Sequence, residues 1–111
     1  MAGILGTGRG GGRRREQSEI YATILEVVKR HHGAARVTRI SYGAGMPVDR
    51  LKRAVERLVR LGLLAQSEED GVRTYDLTVR GHDFLTTYWK MRAYIESLEA
   101  DPDRPGGLRQ E

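Results

Sequence analysis

Within MPVDRLKRAVERLVRLGLLA, residues 46–65, arginine recurs at Arg50, Arg53, Arg57 and Arg60. At 100° of turn per helical residue these side chains fall within about 80° of arc. Leu51, Ala54, Val55, Leu58, Val59 and Leu61 take a separate arc of roughly 160°. A guanidinium is a rigid planar fork of N–H donors. It matches two oxygens of a phosphate, or the O6 and N7 of a guanine. A helix with this pattern buries one side and holds a row of such forks along another. The chemistry it offers is recognition of a polyanion.

Nothing comparable exists for bond-making chemistry. His31, His32 and His82 are the only histidines, two of them adjacent and so pointing apart, and there is no cysteine to assist them. A zinc site needs ligands that converge, so no metal and no other cofactor is expected. No nucleophile–base pair has a useful spacing, so the chain is not expected to be an enzyme or to take a small-molecule substrate. Gly6-x-Gly8-x-x-Gly11 formally matches a dinucleotide fingerprint. That motif works between a strand and a helix of a βαβ unit, and no strand precedes it here.

Charge placement supports the polyanion. Residues 29–60 hold nine Lys or Arg against Asp49 and Glu56, a balance of +7. Residues 16–28 carry −3, and residues 61–111 carry six basic against ten acidic groups, or −4. Residues 1–15 add +4, and a segment as basic as 29–60 in a domain otherwise neutral or acidic marks a side facing nucleic acid. At 111 residues a single small domain with tails is expected, its core thin enough to benefit from dimerisation. No apolar run approaches the roughly 20 residues that span a bilayer, and MAGILGTG lacks the layout of a secretion signal. A cytoplasmic protein with no membrane partner is expected.

The elements that must position the arginines can be read from periodicity. Residues 1–14, glycine- and arginine-rich, read as a flexible tail. Ile20, Ile24, Val27, Val28 and His31 recur at helical spacing, giving a first helix from about Arg15 to His32 that stops at Gly33. Thr38 is a plausible N-cap for a stubby second helix, Arg39–Gly43. Gly43-Ala44-Gly45 then turns the chain, and Pro47 suits the first turn of a third helix over 47–61. Leu63–Glu69 and Val72–Leu77 flank Asp70-Gly71, a strong hairpin signal. The two-residue turn pairs Glu69 with Val72, Glu68 with Arg73, Gln66 with Tyr75 and Leu64 with Leu77. Thr78 caps a last helix to about Glu99, and residues 101–111 read as a disordered tail. The order helix, helix, helix, hairpin, helix describes a winged helix-turn-helix, mainly α with a two-stranded hairpin. Its domain is expected over 15–86, with 87–100 as a coiled-coil extension.

Thr38-Arg39-Ile40, then Leu51, Val55 and Leu58 before Gly62-Leu63-Leu64, together with Tyr75-x-Leu77-Thr78-x-x-Gly81-x-x-Phe84-Leu85, resemble an archaeal family. It is the group of small winged helix-turn-helix DNA-binding proteins, some chromatin-associated and others transcription regulators. The resemblance spans roughly Arg15 to Leu98. It implies double-stranded DNA as partner, an association with the nucleoid, and dimerisation through an antiparallel coiled coil of the last helix. One feature departs from the family. Members tend to open the third helix with a polar cap after an Asn-Leu pair, where this chain has Gly45-Met46-Pro47.

In helix-turn-helix proteins the start of the recognition helix reaches base edges. That nominates Val48, Asp49, Arg50 and Arg53 for bases, with Arg57 and Arg60 on phosphate. Arg36, Thr38, Arg39 and Ser41, on the helix that crosses the backbone, suit phosphate as well, whereas Tyr42 is expected to be a partly packed ring. Arg73 is the one cation near an acidic wing tip, and its dull account is a cross-strand pair with Glu68. Glu56 is placed to pair with Lys52 or Arg60 at i,i+4. Phe84, Tyr88, Met91, Ile95 and Leu98 follow a four-three-four-three spacing, a heptad seam. Phe84 is assigned to the domain core, and Tyr88, Met91, Ile95 and Leu98 to a homodimer. The alternative function is a winged-helix module that docks on an acidic protein surface without touching DNA.

Overall fold

The computed structural model describes residues 17–100. The expected N-terminal tail, its glycine fingerprint match, the start of the first helix at Arg15 and the closing segment 101–111 lie outside the described residues. Within them, α1 covers residues 17–30, α2 Val37–Ala44, α3 Val48–Arg60, β1 Leu64–Glu69, β2 Val72–Leu77 and α4 Val79–Ala100.

The core forms where the apolar stripes of these elements meet. Ile24, Leu25 and Val28 of α1, Ile40 of α2, and Leu51, Val55 and Leu58 of α3 are all sealed from solvent. Leu64 and Tyr75 close it from the hairpin, and Leu85 and Tyr88 from α4. Each such aliphatic side chain contributes about 1.5–3 kcal/mol relative to exposure. The spacing Leu51, Val55, Leu58 puts one face of α3 inward and leaves the arginine arc outside.

Both turns around α3 are set by backbone hydrogen bonds. At the end of α2, Gly45 is left-handed (φ 65°); its N–H donates to the Tyr42 carbonyl at 3.3 Å, and that of Met46 to Ser41 at 3.1 Å. This is a Schellman closure, and the Ser41 hydroxyl strengthens it by donating to the Met46 carbonyl. The same closure ends α3, with Gly62 N–H on Val59 and Leu63 N–H on Leu58. Pro47, extended at φ −60° and ψ 145°, precedes the first helical residue of α3 rather than lying inside it. The Gly45-Met46-Pro47 departure therefore builds a fixed, if uncapped, start for this helix.

The hairpin register is the one expected, from Leu64 opposite Leu77 to Glu69 opposite Val72. Asp70 and Gly71 both take positive φ, 53° and 78°, as a type I′ turn requires. Thr78 caps α4: its hydroxyl accepts the Gly81 N–H at 2.9 Å and donates to the Gly62 carbonyl at 2.7 Å.

Two expectations need correction, and one connection carries structure of its own. The first helix ends at residue 30, not His32, and Gly33 does not cap it; His32, Gly33 and Ala34 all turn through positive φ. The Ala34 N–H is held there by the Asp76 carboxylate at 2.7 Å. Thr38 is not an N-cap, because α2 begins a residue earlier and Arg36 fills that place without a side-chain bond. Finally, the link between α1 and α2 is not plain loop. Ala35 exchanges both backbone hydrogen bonds with Tyr75, at 3.0 and 2.8 Å, adding a single bridge to the edge of the wing.

Candidate nucleic-acid interface

On α3, Arg50, Arg53, Arg57 and Arg60 are all exposed, as are Val48 and Asp49 at its start. Among the described residues, no carboxylate pairs with any of these arginines; the two ion pairs present both belong to Arg92. Glu56 makes no bridge to Lys52 or Arg60, nor Glu68 to Arg73 across the wing, although Glu68 and Arg73 stand opposite in register. The whole ridge is thus uncommitted within the described fold. Arg57 and Arg60 also sit in the last turn of α3, where cations complement the helix dipole.

A second exposed strip runs along α2. Thr38 and Tyr42 are four residues apart on one face, with Arg39 beside them and Arg36 just before the helix, and all are open to solvent. Ser41 does not share that strip. It is 9% exposed and its hydroxyl is spent on Met46, so it shapes the turn instead of facing a partner. Tyr42 reverses the expectation of a packed ring, being 88% exposed. Its spacing from Thr38 was the available signal, since two residues four apart on a short helix share a face.

The wing tip carries Glu68, Glu69 and Asp70, all exposed, with Arg73 exposed nearby. The residues expected in a dimer seam divide. Met91 and Ile95 are exposed at 46% and 39%, and Leu98 is half-buried. Tyr88 is buried within its own domain, stacked on Phe84 and edge-on to Trp89. Its hydroxyl also accepts a hydrogen bond from Arg92 at 3.1 Å. That bond first, and the carboxylates of Glu96 and Glu19 beyond it, hold the Arg92 guanidinium above its ordinary range. Tyr88 therefore belongs to the core, and Tyr94, 67% exposed, lies beside Met91, Ile95 and Leu98 on the open face.

Among the described residues, no three His, Cys, Asp or Glu side chains are grouped to hold a metal ion, and no helix is long and apolar enough to cross a membrane.

A three-helix unit with a hairpin wing, an exposed basic third helix and a long final helix defines a winged helix-turn-helix protein. The family model described as winged helix-turn-helix matches residues 14–96, and the chain belongs to that family. Its fold is shared with Sso10a-2, a DNA-binding protein from Sulfolobus solfataricus, at 23% identity over 85% of this chain and 96% of that one, TM-score 0.68. MepR, a transcription regulator of the Staphylococcus aureus multidrug efflux pump MepA, superposes with TM-score 0.67 at 8% identity, covering 97% and 88% of the two chains. A MarR family transcriptional regulator from Silicibacter pomeroyi does so with TM-score 0.64 at 21% identity, over 96% and 74%. No curated protein sequence matches the chain.

Proposed function

We propose that this chain is a double-stranded DNA-binding protein that reads the major groove with α3, as a transcription regulator or a chromatin-associated protein. The observation that carries this reading is the row Arg50, Arg53, Arg57 and Arg60, exposed and unpaired on the third helix of a winged helix-turn-helix. Arg50 and Arg53, with Val48 and Asp49, lie toward the helix start and are assigned to base edges. Arg57 and Arg60 are assigned to phosphates, as are Arg36, Thr38 and Arg39 of the adjoining strip. Arg73 is kept as a backbone contact at the wing. The Sulfolobus and MarR-type neighbours support the same reading.

The second half of α4 supports a homodimer. Its 22 residues extend about 33 Å, longer than so small a core can cover. Met91, Tyr94 and Ile95 then stand open on one face beyond Tyr88. Two winged-helix units would engage two half-sites or two DNA segments in the nucleoid.

The test is anisotropy of a labelled duplex, repeated after charge reversal of Arg53 and Arg57. The five arginines assigned to the DNA backbone predict a loss of affinity of about five hundredfold between roughly 50 and 200 mM salt. Unchanged duplex affinity in R53E/R57E would overturn the assignment and favour docking on an acidic protein surface. Footprinting separates the two roles: a palindromic protected site marks a regulator, uniform coverage an architectural protein.

A further inference from the structure

Tyr42 stands near the end of the exposed strip on α2 and is 88% exposed, more than any other aromatic ring among the described residues. Within them its ring makes no aromatic contact, its hydroxyl no hydrogen bond, and it is not packed against the core. Tyr94, the next most open, lies on the α4 face argued above for a second copy; Tyr42 has no such account. One turn earlier, Thr38 and Arg39 line a small polar cavity together with His31 and Arg36. No carboxylate lines it, and among the described residues neither arginine has an ion-pair partner. Its volume, about 270 Å³, lies below the range of small-molecule sites, about 300–1,000 Å³, and suits a single phosphate group. Thr38 and Tyr42 are about 6 Å apart along the helix axis. An anion seat and a bare aromatic face thus stand within the span of one nucleotide.

We propose that this strip binds an unpaired stretch of DNA, with one base stacked on Tyr42 and the adjoining phosphate on Arg36, Thr38 and Arg39. A duplex closes the faces of its bases inside its own stack and offers edges, sugars and phosphates. It can use the arginines of the strip but not the faces of the ring. An unpaired base has a free face to set against the ring, and stacking of this kind tolerates any sequence. The cations hold the strand, and the ring selects for its being single. With duplex on α3, the strip takes strand that has opened beside it. Only the choice of DNA over RNA rests on the proposed function; the stacking site does not.

The experiment titrates the full chain with four ten-residue probes at matched ionic strength: a deoxyadenosine strand, an abasic strand of equal charge, an adenosine ribo-strand and a duplex. The deoxyadenosine strand is expected to move the Tyr42 ring protons upfield in a saturable way. It should bind about tenfold more tightly than the abasic strand, the worth of one stacked base. Tyr42→Leu should lose about that factor on the deoxyadenosine strand and leave duplex affinity unchanged, while Tyr42→Phe keeps both. Equal binding of the abasic strand, or the same ring shift with the duplex, would overturn the stacking site. A phenylalanine variant as weak as the leucine one would also overturn it, because the hydroxyl would then be meeting phosphate. A ribo-strand bound tenfold or more tightly than the deoxy-strand would overturn the choice of DNA. R53E/R57E should lose duplex affinity and keep the ring shift. A chain that binds no duplex at all defeats the proposed function, while the ring shift still decides the strip.

Discussion

Gly81 packs directly on the backbone of Leu63: a Cβ at position 81 would stand 2.2 Å from the Leu63 carbonyl oxygen. It would also press on Leu77 at 2.8 Å. That contact seats α4 on the junction of α3 and the wing, and so sets how α3 is held. The Leu77 methyl can turn aside, but the Leu63 carbonyl is backbone, so the structure has to shift. Gly81→Ala should cost about 3 kcal/mol in urea unfolding, although alanine is the better helix former. A stability equal to or above that of the parent would show that α4 does not approach the wing root this closely.

The same junction depends on Thr78, whose hydroxyl serves Gly81 and Gly62 at once. Thr78→Ala removes a helix cap and leaves the part-buried Gly62 carbonyl without that donor. A loss of about 1–2 kcal/mol is expected, with Thr78→Ser restoring most of it. Thermal unfolding of the pair measures this. If serine failed to rescue, the methyl group rather than the hydroxyl would be the working part.

Ser41 separates structure from contact. Its hydroxyl closes the α2–α3 turn on Met46, so Ser41→Ala should lower stability by about 1 kcal/mol. At a fixed temperature well below unfolding, the salt slope of duplex binding should be unchanged, because no phosphate contact is lost. A slope reduced by about one unit would return Ser41 to the interface.

Much of this fold is legible in the residues, for identifiable reasons. Asp70-Gly71 dictates a two-residue turn, and the turn dictates every pair back to Leu64 and Leu77. The arginine ridge is legible because it shares a period with Leu51, Val55 and Leu58. Other features carry no local pattern. The Ala35–Tyr75 bridge is one residue long, so no alternation announces it. Ser41 has the right chemistry for a phosphate and is consumed by a carbonyl five residues on, a contact only the turn geometry creates. Tyr88 fits the heptad seam as well as Met91 does. What separates them is where the domain ends beneath α4, and spacing along one helix does not encode that.

Along the ridge, the arginines should differ in kind. Arg57→Gln and Arg60→Gln should each weaken binding about equally on all sequences and reduce the salt slope by roughly one unit. Arg53→Gln should instead cost about 1–3 kcal/mol on a preferred site and little on random duplex, relaxing specificity at one position. Selection of binding sites from a random library, run on each variant, reads this directly. If all three variants changed the slope alike and left sequence preference intact, the helix would ride on the backbone and no base contact would come from Arg53.

The last prediction concerns the open face of α4. In the isolated chain, Met91, Tyr94 and Ile95 leave much of their surface in water, while Tyr88 one turn earlier is enclosed by Phe84, Trp89 and Arg92. A second copy laid along the helix would bury the first group and leave the second untouched. Met91→Glu with Ile95→Glu should therefore weaken self-association roughly a hundredfold, losing about 3 kcal/mol of apolar burial, with the domain still folded. Tyr88→Ala should do the opposite, lowering unfolding stability by about 3 kcal/mol because it empties part of the core. Sedimentation equilibrium and urea unfolding on the two variants distinguish these outcomes. A double glutamate variant that remained a dimer would move the interface off this face, and a Tyr88 variant that only dissociated would put the ring back into the seam.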